Sequence, residues 1–414
     1  MSDEGRNARS AALKAMAAVS EEGLTLGDVL PKLTAGLPPG EAARTGRLAV
    51  EAFRWANRSD RVLGPHLRLR PEDPVMHALR LAIYELFVEG AAPHGVVNSA
   101  VSLVTKSKAG LVNGVLRNVL RREVDWSALP VPVTPKWLRK RFVASWGKAA
   151  VEAMEAVHAT RPPLDITCRT DAENWAEKLG GDVVPTGSIR LPAGAQVTAL
   201  PGYTEGAWWV QDAGATVAAR VLQPEPGSRV LDLCAAPGGK TMQLAAMGAD
   251  VTALDVSQAR MKRVEENLVR TGLRAKTVVA DALEWMPDAL FDAVLLDAPC
   301  SATGTLRRHP DLVFARDGSG IDELVALQTR LLDRAATFLR PGGRLVYCTC
   351  SLLPEEGEAQ IDAFLTRSGM FDLRAQKPED PQWSVPQGLR LRPDHWASIG
   401  GLDGFFVACL EKRS

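Results

Sequence analysis

Apolar residues recur every three to four positions through most of the first 125 residues, and no two-residue alternation interrupts them. The stretch "NARSAALKAMAAVSEEG" is Ala-rich, apolar at helical spacing and stopped by Gly23. "GRLAVEAFRWANRSDRVLG" and "PVMHALRLAIYELFVEG" follow, each closed by glycine, and "HGVVNSAVSLVTKSK" and "AGLVNGVLRNVLRREV" complete the set. The pattern predicts a helical bundle over residues 1–128. "ALPVPVTPKW" (Ala128 to Trp137) holds three prolines and cannot continue a helix, so a domain boundary is placed there. Residues 136–225 mix the two periods. A helix over "WLRKRFVASWGKAAVEAMEAVHA", a strand at "LDITCRT", a helix near "AENWAEKLG" and a strand at "AQVTAL" predict a small α/β unit.

From residue 226 to 414 strands and helices alternate. "SRVLDLC", "DVTALDV", "KTVVADA", "FDAVLLDAP" and "GRLVYCTCS" read as strands. "TMQLAAMG", "SQARMKRVEENLVRTG" and "IDELVALQTRLLDRAATFLRPGG" read as helices, and "GFFVACLEK" closes the chain as a strand. This order predicts an α/β, doubly wound Rossmann-like sheet that binds its ligand at the carboxyl ends of the strands.

Composition is that of a soluble globular protein, with 46% hydrophobic and 24% charged residues. No run of about 18 apolar residues and no apolar leader occur, so no membrane partner is expected and the cytoplasm is the expected compartment. The six cysteines form no C-x-x-C pair and no Cys/His cluster, so reduced thiols and no metal are expected. The net charge of zero conceals an asymmetry: residues 1–150 carry 22 Lys+Arg against 14 Asp+Glu. A basic front end suits an anionic partner such as nucleic acid. Its arginines, among them Arg44, Arg47, Arg54, Arg58, Arg61, Arg68, Arg70, Arg117, Arg121 and Arg122, are expected mostly on polar helix faces.

"LDLCAAPGGKT" (Leu231 to Thr241) ends like a phosphate-binding loop. The position five before Gly239 is Cys234 where that loop needs glycine, and Pro237 lacks an N–H. The stretch reads instead as a strand–turn–helix junction whose glycines let the backbone approach a ligand. Asp255, seventeen residues after Gly238, ends the next strand and is placed for ribose hydroxyls. Asp281 ends the third strand, where an adenine amino group can be bound. A nucleoside-containing cofactor follows.

Two further strand ends, in "DAPCSATGT" (Asp297 to Thr305) and "CTCSLLPEEGE" (Cys348 to Glu358), each present a cysteine, Cys300 and Cys350. Cys168, Cys348 and Cys409 read as packing residues, and Cys234 as shaping the loop. A thiol beside a nucleoside cofactor points to nucleophilic catalysis. Carbon-5 of a pyrimidine becomes nucleophilic once a thiolate adds to carbon-6, and Asp297 is near in sequence to meet the charge at the ring's N3 edge.

These stretches resemble the motifs of the NOL1/NOP2/Sun RNA cytosine-5 methyltransferases of RsmB/Fmu type, in the same order. "WWVQDAGATVAARVL" and "DGFFVACLEK" match the flanking segments, and "VVNSAVSLVTKSKAGLVNGVLRNVLR" looks like a NusB-type RNA-binding bundle. The resemblance covers almost the whole chain, least distinctively over 136–225. It implies S-adenosylmethionine held by Cys234, Ala235, Ala236, Pro237, Gly238, Gly239 and Lys240, with Asp255, Asp281 and Asp297. It implies Cys350, of the Thr-Cys pair, as nucleophile and Cys300, of the Pro-Cys pair, as an aid to product release. Position alone does not decide between the two thiols, since DNA cytosine-5 methyltransferases use the Pro-Cys one. The implied substrate is one cytosine of small-subunit (16S) ribosomal RNA, and a monomer is expected. A tRNA or DNA cytosine-5 methyltransferase would share the catalytic half, and a non-catalytic RNA-binding protein would be expected to have lost a cysteine or Asp297.

Overall fold

The structure, a computed structural model, describes residues 3–414, with side chains from residue 7. The helical part begins with α1 (Asp3–Glu22), α2 (Leu26–Leu33), α3 (Pro39–Arg54) and α4 (Ala56–Leu63). It continues with α5 (Asp73–Phe87), α6 (Pro93–Ser102), α7 (Lys106–Leu120) and α8 (Lys136–His158). Prolines stand in the first turns of α3, α5 and α6, where no backbone donor is needed. Two predicted helices are broken. The run Gly46–Gly64 divides at Trp55 (φ −94°, ψ 4°), which sits edge-on to Trp126 at 5.8 Å. The run beginning at Trp137 breaks inside α8 at Gly147, whose φ of 77° only glycine takes readily. Helix α2 escapes the periodicity because it is short and contains Pro31, but Asp28 marks its start by accepting from the Thr25 N–H and hydroxyl at 3.1 and 2.6 Å.

One arginine assigned to the polar faces is in fact internal. Arg54 is buried, paired with Glu51 at 3.2 Å, because its side chain lies among apolar neighbours and needs a carboxylate there. Arg9 and Arg80 are buried likewise, against Glu85 at 2.6 Å and Asp60 at 2.6 Å.

The second part opens with β1 (Leu164–Cys168), α9 (Ala172–Leu179), β2 (Asp182–Val183), β3 (Ile189–Leu191) and β4 (Trp208–Val210). These strands form an antiparallel sheet in the order β2-β3-β1-β4. Asp165 and Arg190, opposite each other on β1 and β3, pair through two bonds of 2.7 and 2.8 Å in the interior. The stretch "AQVTAL", predicted as a strand, is a 3₁₀ turn at Val197–Ala199. Its apolar residues Val197 and Leu200 lie three apart and both pack on the core of this sheet, which a turn achieves and a strand would not.

Then follow α10 (Val217–Leu222), β5 (Arg229–Leu233), α11 (Gly239–Ala246), β6 (Asp250–Asp255), α12 (Gln258–Thr271), β7 (Lys276–Val279) and β8 (Phe291–Asp297). The chain continues through α13 (Leu312–Ala315), α14 (Ile321–Thr337), β9 (Leu339–Thr349), α15 (Glu358–Ser368) and β10 (Phe371–Leu373) to β11 (Ser384–Val385), β12 (Gly388–Leu391) and β13 (Phe405–Lys412). The large sheet runs β11-β12-β13-β9-β8-β5-β6-β7, with β10 on β13. The strands from β7 to β9 are parallel, whereas β13 is antiparallel to β9. The order reverses between β5 and β8, so the loops after these two strands diverge and leave a crevice at their carboxyl ends. Strands β5 and β8 are buried on both faces, as central parallel strands are, and apolar along their centres except for Asp232 of β5.

Two compact units result: residues 1–160 with 306–318, and 161–305 with 319–414. Leu306–Gly318 lies between β8 and α14 in sequence yet belongs with the helices. Asp311 accepts from the Leu26 N–H at 2.8 Å, Arg54 donates to the Arg307 carbonyl at 2.6 Å, and Phe314 packs on Phe53 at 4.7 Å.

Candidate active site

The loop after β5 is shaped by its backbone. Cys234 (φ 61°) and Gly238 (φ 99°) are left-handed, and α11 starts at once from Gly239. A β-carbon at Gly238 would come 3.1 Å from Val264 of α12, a tight approach, and the φ of 99° would strain any side chain there. Asp255 at the end of β6 is buried. Its oxygens accept from the N–H groups of Ala236 (3.1 Å) and Ser257 (2.9 Å), so it ties this loop to the next. The Arg260 guanidinium lies 3.7 Å from the same carboxylate. Asp281 stands two residues beyond the end of β7, exposed, where it accepts from the Leu283 N–H at 2.9 Å.

Lys240, in the first turn of α11, donates to Asp297 Oδ2 at 2.7 Å, and its ammonium lies 5.3 Å from the centre of the Phe405 ring. Burial opposes its charge, but the Asp297 carboxylate, through its charge and its hydrogen bond, together with the Cys348 and Cys350 sulfurs, outweighs that and holds the ammonium above the usual lysine range. The other oxygen of Asp297 accepts from Cys348 Sγ at 3.4 Å, so Cys348 both packs in the core and orients Asp297. Cys234 is pushed up by burial and then by Asp297 and Asp255, which keeps it a neutral thiol within the loop.

Cys300 and Cys350, fifty residues apart, are brought to 3.4 Å between sulfurs. Three backbone bonds bring this about. The Ala298 N–H donates to the Cys348 carbonyl (3.0 Å), the Gly304 N–H to the Cys350 carbonyl (2.9 Å), and the Gly404 N–H to the Gly304 carbonyl (2.8 Å). A β-carbon on Gly304 would stand 2.0 Å from the Gly404 carbonyl oxygen, so the close approach requires glycine. The hydrogen bond with Cys350, with burial behind it, raises the Cys300 thiol well above the ordinary cysteine value. Cys300 therefore keeps its proton and can donate it to the neighbouring sulfur.

The residues singled out from the sequence thus fall into one crevice floor for Lys240, Asp297, Cys300 and Cys350, with Asp255 bracing the loop and Asp281 on an exposed turn. Sequence reading missed the buried polar residues beneath the thiols: Gln328, Ser301, Thr303, Ser351 and Glu356. Their signal was slight, since Glu356 is one of three acids in "PEEGE" and Gln328 is one polar residue on a long helix. Among the described residues no group of three or more His, Cys, Asp or Glu is placed to hold a metal, and no helix is long and apolar enough to cross a membrane.

Comparison with known proteins agrees with this architecture. Residues 219–411 match the family model 16S rRNA methyltransferase RsmB/F, and residues 6–121 match the NusB family. A Klebsiella pneumoniae protein named ribosomal RNA small subunit methyltransferase B is 36% identical, with 98% of each chain covered. The solved structure of PH0851 superposes with a TM-score of 0.79 at 25% identity, covering 100% of this chain and 99% of that one. A methyltransferase homologue from Pyrococcus horikoshii, at 27% identity and a TM-score of 0.57, covers 67% of this chain and 95% of its own. A NusB-type helical front, a doubly wound sheet and this pair of thiol-bearing loops therefore place the chain in the RsmB/F family of 16S rRNA methyltransferases.

Proposed function

We propose that this protein methylates carbon-5 of one cytosine in small-subunit ribosomal RNA through a covalent adduct with Cys350. The observation that carries the reading is the pair of thiols 3.4 Å apart beside the Lys240–Asp297 ion pair. The cofactor of the family is S-adenosylmethionine. The crevice fits such a group: the glycine-shaped loop stands at the switch point of the sheet, and the Asp255 carboxylate ends the next strand beside it. We assign its binding to Cys234 through Lys240, Asp255, Asp281 and Asp297. Bound there, it supplies the electrophilic methyl group that carbon-5 takes.

The protein's own residues do the rest. The Cys350 thiolate adds to carbon-6, forming a C–S bond and moving the ring's π electrons toward N3 and carbon-5. At the N3 edge the Asp297 carboxyl gives N3 a proton as negative charge develops there and takes it back when the double bond re-forms, while Lys240 stabilises the carboxylate in the interval. After methylation, loss of the carbon-5 proton to a base re-forms the C5–C6 double bond and expels the sulfur as thiolate. Cys300, held protonated, donates a hydrogen bond to the departing Cys350 sulfur and lowers the cost of that charge. The basic helical front end is proposed to bind the RNA, and the protein to act as a cytoplasmic monomer.

Single-cysteine variants test the assignment. With labelled rRNA and S-adenosylmethionine, Cys350→Ala should abolish both activity and adduct. Cys300→Ala should attack and accept the methyl group but stall, leaving an adduct that survives denaturing electrophoresis. A stable adduct with Cys350→Ala instead would reverse the roles. Parallel incubations with tRNA and DNA check the substrate class.

A further inference from the structure

Glu356 is a carboxylate with no exposed surface, on the turn between β9 and α15. Every partner of its side chain is an uncharged donor. Oε1 accepts from the Ser301 N–H at 2.9 Å and from Gln328 Nε2 at 3.0 Å, and Oε2 accepts from the Ser301 hydroxyl. Its own carbonyl accepts from the Tyr347 hydroxyl at 2.9 Å and from Thr349 Oγ1 at 3.1 Å. Both of these donors lie on β9, the strand that delivers Cys350. The residue is thus fixed to the Cys350 side by its backbone and reaches across to the Cys300 side by its carboxylate. Ser301, its chief partner, is the residue next to Cys300. Gln328 strengthens the grip by donating also to the Pro299 carbonyl at 2.8 Å, on the other flank of Cys300.

Burying a carboxylate among neutral donors is costly, and a packed apolar side chain would join two loops at less cost. The hydroxyls around it extend the link. Ser301 Oγ lies 3.2 Å from Ser351 Oγ, next to Cys350, and Thr303 Oγ1 lies 3.1 Å from the same atom. The backbone bonds at Ala298 and Gly304 hold only the ends of the Cys300 loop, and Glu356 holds its middle.

We propose that Glu356 is a positioning residue for the reaction: its carboxylate clamps Ser301 to the Cys350-bearing strand end and so keeps the Cys300 sulfur within reach of Cys350 when the adduct is resolved. This rests on the roles proposed above for the two thiols. The negative charge of Glu356 also helps to keep Cys300 protonated.

The test uses the full chain with labelled S-adenosylmethionine and small-subunit rRNA, and the variants Glu356→Ala, Glu356→Gln and Cys300→Ala. Loss of the clamp frees the Cys300 loop but leaves Cys350 on β9. Glu356→Ala is therefore expected to bind S-adenosylhomocysteine within threefold of the unaltered protein, to turn over at least 30-fold more slowly, and to accumulate adduct on denaturing gels as Cys300→Ala does. Glu356→Gln retains an acceptor for the Ser301 N–H and should recover at least part of the turnover with less adduct. If Glu356→Ala fails to fold, Glu356→Asp, whose carboxylate is one methylene short of Ser301, decides in its place, and an adduct fraction no higher than that of the unaltered protein overturns the proposal. It is equally overturned if Glu356→Ala turns over normally, or slows without accumulating adduct while Cys300→Ala accumulates it. If Cys300→Ala itself leaves no adduct, the roles of the thiols have failed and the inference falls with them.

Discussion

Asp232 offers a measurable consequence of burial on the central strand β5. It lies on β5 with no exposed surface. Its Oδ2 accepts from Thr241 Oγ1 of α11 at 2.5 Å, and its Oδ1 has no protein partner. Burial pushes its carboxyl from the usual 3.8 up to about 7. The Thr241 bond and Lys240 act against that, while the charges of Asp297 and Asp255 act with it. The folded protein therefore holds a proton on Asp232 that the unfolded chain releases above about pH 4. The stability tied to this group is complete below pH 3.8 and is lost as pH rises toward 7. At about 1.4 kcal/mol per pKa unit the whole loss is about 4 kcal/mol, and about 2 kcal/mol of it falls between pH 5.5 and 8. Asp232→Asn keeps the shape and an acceptor for Thr241 but cannot ionise. Urea unfolding of both proteins, followed at pH 5.5, 6.5, 7.5 and 8.5, removes the contribution of every other titrating group by difference. The variant should gain on the unaltered protein by about 2 kcal/mol from pH 5.5 to 8 and then level off. A difference that stays flat across the range, or falls with pH, would refute the reasoning.

Two further outcomes follow from the same floor. Lys240→Met leaves the Asp297 carboxylate without its 2.7 Å partner, so turnover should fall by at least tenfold while thermal unfolding shows a folded protein, and near-normal turnover would remove Lys240 from the chemistry. Gly304→Ala forces a β-carbon to 2.0 Å from the Gly404 carbonyl oxygen and 2.8 Å from that of Cys350, and should cost about 1–3 kcal/mol of stability together with most activity, measured by denaturant unfolding and methyl transfer.

Much of this protein was legible in its sequence because the signals are local. A helix with one apolar stripe, or a central parallel strand with two, must show its period, and so the helical front and the alternating rear half were both readable. The glycine loop was readable for a similar reason. Its residues are consecutive, and left-handed backbone at Gly238 restricts what can stand there. The errors have local causes too. Val197 and Leu200 fit either a short strand or a turn, and only the neighbouring strands β1, β3 and β4 decide. The Trp55 ring at the helix break meets Trp126, seventy-one residues away in sequence, and no local pattern shows that contact.

The sequence by itself determined the fold class, the motif-bearing loops and the pool of reactive side chains, because periodicity and turn chemistry act between near neighbours. Only the tertiary structure decided which of those side chains meet. The sheet order puts β9 beside β8, and this brings Cys300 and Cys350 to 3.4 Å across fifty residues. The same register sets Cys348 against Asp297, and it makes one acid among three in "PEEGE" a buried carboxylate beneath the thiols. Likewise Leu306–Gly318, which reads as a loop of the sheet half, is held by α2 and α3 through Asp311, Arg307 and Phe314. Pairings of this kind are set by long-range backbone hydrogen bonds and by packing between segments far apart in the chain, and no local pattern of residues encodes them.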